Sequence, residues 1–127
     1  MRGYLIDVEN GTHDEVEASG LDDYYRLVGC RCIDIAVRDI GGRPYNIVLD
    51  DEGLLVDKPI VSAYMDGSPA LAGNLIVFGL HPDTLDLDGL TERDVRNVKE
   101  HVRLALGFGR DGEPRLWPVL TVDAPKW

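Results

Sequence analysis

Positive charge is scarce in this chain: 13 lysines and arginines stand against 23 aspartates and glutamates, a formal net charge of −10. The deficit is uneven. Residues Met1 to Leu90 hold 17 acidic and 6 basic side chains, whereas Thr91 to Trp127 hold 6 and 7. Such a field repels phosphate backbone and anionic headgroups, so no direct nucleic-acid or membrane partner is expected, and cationic protein partners are favoured. Cysteine is equally scarce. The two present, Cys30 and Cys32, are one residue apart, too close to staple distant parts of a fold, which fits a reducing compartment. No apolar run approaches the roughly 18 residues of a membrane-spanning helix, and no basic-then-apolar opening resembles a secretory leader. A cytoplasmic protein is the expectation. Glycine-rich phosphate loops, internal repeats and low-complexity runs are also missing.

What is present is ordinary globular material. Of 127 residues, 44% are hydrophobic and 28% charged, enough for one domain that buries roughly two thirds of its unfolded surface. The expected division is a single α+β domain over 1–108 and a C-terminal tail over 109–127, with an added strand near Leu116 to Val122 or an interaction segment as its two readings.

Tyr4, Ile6 and Val8 alternate into Asn10-Gly11, a turn-forming pair, and Thr12 to Ala18 returns as the second arm of a hairpin. The period then changes. Ser19, with Asp22 three residues on, is placed to cap a helix whose stripe is Leu21, Tyr24, Tyr25 and Val28 and whose stop is Gly29. Cys32 to Ile40 alternates again, with Ile33, Ile35 and Val37 on one face. Gly41-Gly42 turns it into a return strand through Tyr45, Ile47 and Leu49, closed by Asp50-Asp51-Glu52-Gly53 with glycine supplying a positive φ. Ile60 to Met65, turned by Asp66-Gly67, leads to Asn74-Leu75-Ile76-Val77-Phe78-Gly79, an unbroken apolar run that reads as a strand buried on both faces. His81 to Gly89 reads as a loop. Thr91 and Asp94 then form a capping pair with Leu90 and Val95 as a staple, and Val95, Val98, Val102, Ala105 and Leu106 share one stripe. The spacing predicts a helix of about four turns, Thr91 to Leu106, on which a mostly antiparallel, hairpin-rich sheet would pack.

No catalytic residue, metal site or cofactor site emerges from these residues. Cys30 and Cys32 supply half a zinc site at most, with His13, His81 and His101 scattered. Asp86-Leu87-Asp88-Gly89 echoes part of a calcium loop without its first and last ligands. No histidine is placed near Ser62, Ser68 or either cysteine for nucleophilic chemistry. Arg93, Arg96, Lys99 and Arg103 cluster on one predicted helix face, but Glu92, Asp94 and Glu100 interleave with them, which favours a solvated face over a phosphate site. The candidate interaction surface is acidic and aromatic: Asp22, Asp23, Tyr24 and Tyr25 in the short helix, with Asp50, Asp51 and Glu52 in the turn. The tyrosines would serve as an anchor if a ring is exposed.

Three stretches read like a known family: Ile6 to Gly11, Gly20 to Cys30, and Ile33-Asp34-Ile35. They are followed by Asp50 to Leu54, Pro59 with Val61-Ser62-Ala63, Gly73-Asn74-Leu75, and Leu90-Thr91-Glu92 ahead of Asp94-Val95. In order and spacing the chain resembles the domain of unknown function 3846 family, small proteins met chiefly in phages, plasmids, conjugative elements and gut bacteria. The resemblance covers roughly Tyr4 to Phe108, and the tail after Gly109 departs from it. It implies a small accessory protein of a mobile element and brings no activity, substrate or catalytic residue. Three functions follow as expectations: a non-enzymatic interaction module for a protein partner; a counter-defence protein that mimics DNA through its carboxylates; and a small enzyme or ligand-binding domain. Exposed sheet edges and the proline-rich tail admit a homodimer, which the sequence does not decide.

Overall fold

The structure, a computed structural model, describes residues 1–53, 59–109 and 111–124. Leu54 of the family-like stretch and Pro125 of the tail lie outside the described residues. Ten strands and two helices are described, in the order β1 (Arg2–Asp7), β2 (Thr12–Glu17), α1 (Leu21–Val28), β3 (Ile33–Ile40), β4 (Arg43–Asp50), β5 (Val61–Met65), β6 (Ser68–Ala72), β7 (Leu75–Leu80), β8 (Leu87–Asp88), α2 (Glu92–Glu100), β9 (Val102–Phe108) and β10 (Pro114–Val122).

These strands make two sheets. The first has the order β2-β1-β7-β4-β3, with β8 paired to the end of β7; the second is β6-β5-β10-β9. All pairings are antiparallel except β5 with β10. Strand β10 runs across the first sheet: Arg115 donates to the Glu9 carbonyl at one end, while Asp123 accepts from the Gly42 amide at the other. Tyr4, Ile6, Val8, Tyr45, Ile47, Leu75 and Val77 fill one face of the first sheet and pack with Ala63, Leu71, Trp117 and Leu120 of the second and with Val95 and Val98 of α2. Its opposite face carries Val48, Ile76 and Phe78 beneath Tyr24 and Val28 of α1. Strand β7 is therefore covered on both sides. That is the physical reason for its unbroken apolar run, since neither face meets water.

The expected fold needs correction. Helix α2 ends at Glu100, His101 is its C-cap, and Val102–Phe108 is a strand. The long C-terminal helix over Thr91 to Leu106 does not exist, and the described residues form a mostly-β fold of two sheets with two short helices. The segment fits two periods at once. Val95, Val98, Val102 and Ala105 keep a helical spacing, but Leu104, Leu106 and Phe108 alternate, and a seven-pair ladder with β10 is available. Helix propensities separate Leu, Ala and Arg from strand formers by only a few tenths of a kcal/mol per residue, so the ladder decides. The second sheet, including β6 after the Asp66-Gly67 turn, is an addition to the single sheet expected.

Other expectations hold. The first two hairpins, the C-cap at Gly29 with φ 76°, and the capping box of Thr91 with Asp94 are present as read. Leu90 and Val95 are both buried in the main core. Gly20, rather than Ser19, precedes α1, and no side chain caps it.

Candidate functional site

The acidic and aromatic residues of α1 separate on folding. Tyr24 is buried and meets Phe78 edge to face, with ring centroids 5.5 Å apart, so it anchors the helix to the sheet. Tyr25 is half-buried, and Asp22 is exposed. Asp23 accepts a 2.8 Å hydrogen bond from the Ser19 amide and pairs with Arg26 at 3.3 Å. These contacts, the amide first, hold its carboxyl below the ordinary aspartate range, as expected in the first turn of a helix.

The 50–53 turn is built by Asp50, whose carboxylate accepts from the Glu52 amide and whose carbonyl accepts from the Gly53 amide. Asp51 and Glu52 point to solvent. Gly53 does not take the positive φ expected of it. A Cβ there would lie 2.6 Å from the Ala72 carbonyl oxygen, so close backbone approach demands the glycine.

Between this turn and the end of α1 lies a cleft of about 440 Å³, whose lining includes Asp7, Asn10, Gly29, Asp50, Gly53 and Asn74. All six belong to the stretches that carry the family likeness. Two of the polar groups are already engaged. Asp7 accepts from the amide and side chain of Asn10 at 3.0 and 2.8 Å, and Asn74 accepts from the Val8 amide at 2.9 Å and donates to the Leu27 carbonyl at 3.1 Å. Asn74 thus ties β1, β7 and the end of α1 together. Sequence reasoning noted it only within a likeness; its signal was a lone amide directly ahead of a wholly apolar run. The structure brings Asp50 beside the C-terminal end of α1, where it lines the cleft with Val28 and Gly29, and Asp51 and Glu52 follow it in the turn. Asp22 and Asp23 sit towards the other end, about 8–9 Å away along an eight-residue helix at ~1.5 Å per residue.

Cys30 packs half-buried under α1, and Cys32 is exposed just before β3. Burial, followed by nearby Asp50, pushes the Cys30 thiol up, which leaves it protonated and weakly nucleophilic near neutral pH. The histidines serve three separate places: His13 meets the Tyr4 hydroxyl at 2.7 Å, His81 accepts two loop amides, and His101 meets the Asn97 carbonyl. Asp88 accepts from the Gly89 amide. Among the described residues no group of three His, Cys, Asp or Glu is arranged to hold a metal ion. Arg93, Arg96 and Lys99 are exposed on α2, but Arg103 belongs to β9, so the basic helix face is shorter than expected.

A second polar cluster lies where α2 meets β4. Tyr45 donates to Asp94, and Asn97 donates to both the Tyr45 hydroxyl and the Ile40 carbonyl. Sequence reasoning assigned Asp94 to a cap and missed this further use of it. No helix among the described residues is long and apolar enough to cross a membrane.

No curated protein and no solved structure is significantly similar to the chain. The likeness carried by the cleft residues is matched by a family model that spans residues 1–103, and the chain therefore belongs to the family described as domain of unknown function (DUF3846).

Proposed function

We propose that the chain is an acidic, non-enzymatic interaction module of a mobile genetic element, which meets a basic protein partner through the side of the first sheet that carries α1. What carries this reading is the gathering of exposed carboxylates there. Exposed Asp51 and Glu52 lie in the turn whose Asp50 and Gly53 line the cleft at one end of α1, and exposed Asp22 stands at the other. The neighbouring edge strand β2 adds exposed Asp14, on the same face as Val16, which packs with the cluster beneath α1, while Glu15 and Glu17 alternate to the other face and pair with Arg2 and the N-terminal amine. Charges so placed speed encounter with a cationic surface and lose their effect as salt screens them.

The test is affinity capture from a host that carries the parent element, with the unaltered protein and a triple variant, Asp22→Asn, Asp51→Asn and Glu52→Gln. The reading expects one basic protein retained at low salt, released at high salt and lost with the variant. Capture indifferent to salt and to the variant overturns it, as does turnover of a metabolite with no captured protein. Competition of the captured protein by duplex DNA would move the reading to DNA mimicry.

A further inference from the structure

We propose that β9 is a self-association edge: two copies join antiparallel through Val102–Phe108, fusing their four-stranded second sheets into one continuous sheet. Strand β9 ends that sheet with β10 as its ladder neighbour.

The hydrogen-bond parity leaves the outer side of β9 open. The Thr121 amide donates to the His101 carbonyl, and the Gly109 amide donates to the Glu113 carbonyl. Antiparallel ladders alternate, so Arg103 with Val119, Ala105 with Trp117 and Gly107 with Arg115 are the bonded pairs. Pro118 opposite Leu104 and Pro114 opposite Phe108 then occupy pairs in which their missing N–H is not called on. The amides and carbonyls of Val102, Leu104, Leu106 and Phe108 face outward. An antiparallel second β9 presents the same parity and accepts every one of them.

The side chains point the same way. Leu104 is 65% exposed, Leu106 77% and Phe108 71%, and Leu116, directly opposite Leu106 on β10, is 56% exposed. Together they leave on the order of 500 Å² of apolar residue surface in water, taking roughly 150–250 Å² for each whole large side chain. When two such edges pair antiparallel, Leu104, Leu106 and Phe108 of the two copies become cross-strand neighbours and cover part of this surface.

The other three sheet edges are guarded against pairing. Strand β2 carries Asp14, Glu15 and Glu17; β3 carries Asp34, Arg38 and Asp39; and β6 is five residues long, with Pro69 and an irregular register. Strand β9 is seven residues long, with Arg103 as its one charge.

Local charge complementarity favours a second copy as the occupant, against the overall repulsion. Two molecules of net charge −10 repel, and β9 lies in the segment 91–127, where acidic and basic residues nearly balance. Antiparallel pairing also sets Arg103 of each copy towards the other's exposed Asp111 and Glu113.

The test is sedimentation equilibrium of the full chain over a hundredfold concentration range at low and moderate salt. A dimer of the 14.1 kDa chain is expected, and it should tighten as salt screens the net repulsion, opposite to the salt response expected of a basic partner. Leu106→Lys should raise the dimer Kd more than about tenfold. Leu106→Pro removes only an outward amide and should do the same, while a far-UV spectrum unchanged in either variant shows that the fold persists. Amide exchange at Leu104 and Leu106 should slow on dimerisation. The proposal is overturned by a monomer at every concentration, by a dimer that persists in Leu106→Lys, or by a dimer in which those amides stay unprotected.

Discussion

The phenol of Tyr45 donates a 3.0 Å hydrogen bond to the carboxylate of Asp94, although one residue lies on β4 and the other in the first turn of α2. Tyr45 is 2% exposed, and its oxygen also accepts from Asn97. The pair fixes α2 against the first sheet while Asp94 still completes the cap with Thr91. Removing the hydroxyl in Tyr45→Phe leaves a buried carboxylate oxygen one donor short. The expected cost is about 1–2 kcal/mol, read as a fall in Tm of roughly 3–8 °C. Asp94→Ala should cost more, because it also removes the cap. The double variant should lose less than the sum of the two single losses.

Asp94 also predicts a pH dependence. Burial alone would push its carboxyl up, but the Thr91 amide, the Tyr45 hydroxyl, the Thr91 side chain and the Arg43 charge outweigh burial and hold it below its ordinary value. A carboxyl depressed in the folded state binds its proton more readily when unfolded, so folding is favoured above the ordinary aspartate pKa of about 3.9 and loses that contribution as pH falls below it. Urea unfolding of the native chain and of Asp94→Asn should therefore converge between neutral pH and about pH 3. A constant gap between the two across that range would contradict the assignment.

Asn74→Ala tests the tie beneath the cleft. The substitution strands the Val8 amide and the Leu27 carbonyl, both of which Asn74 now serves. Two unpartnered groups of this kind cost about 2–4 kcal/mol together, and amide exchange at Val8 should accelerate by more than the global destabilisation explains. Asn74→Asp keeps the acceptor but loses the donor, and should fall between the two.

Local signals were the legible part of this fold. Asn10-Gly11 and Gly41-Gly42 marked turns, Gly29 a helix stop, and Thr91 with Asp94 a helix start, because each depends on a few adjacent residues. The second sheet was hidden because its ladders join distant segments: Leu120 pairs with Ala63, and Trp117 with Ala105. Without that partner, Val102 to Phe108 satisfies a helical stripe as well as a strand, and local periodicity alone favours the helix. The same holds for the candidate surface. The exposure of Asp51 and Glu52 follows from a local turn, whereas the burial of Tyr24 depends on Phe78, which is far away in the sequence. Asn74 and the Tyr45–Asp94 pair drew no attention because nothing adjacent announces a polar side chain that serves another element.

The parallel pairing of β5 with β10 shapes how the molecule assembles. A hairpin of β5 and β6 emerges early but has no neighbour until Leu120 arrives to meet Ala63, so closing this sheet entails bridging a long stretch of intervening chain. Folding should accordingly be slow for a polypeptide of this size, with the last strand acting as the keystone that locks what the earlier hairpins have only sketched.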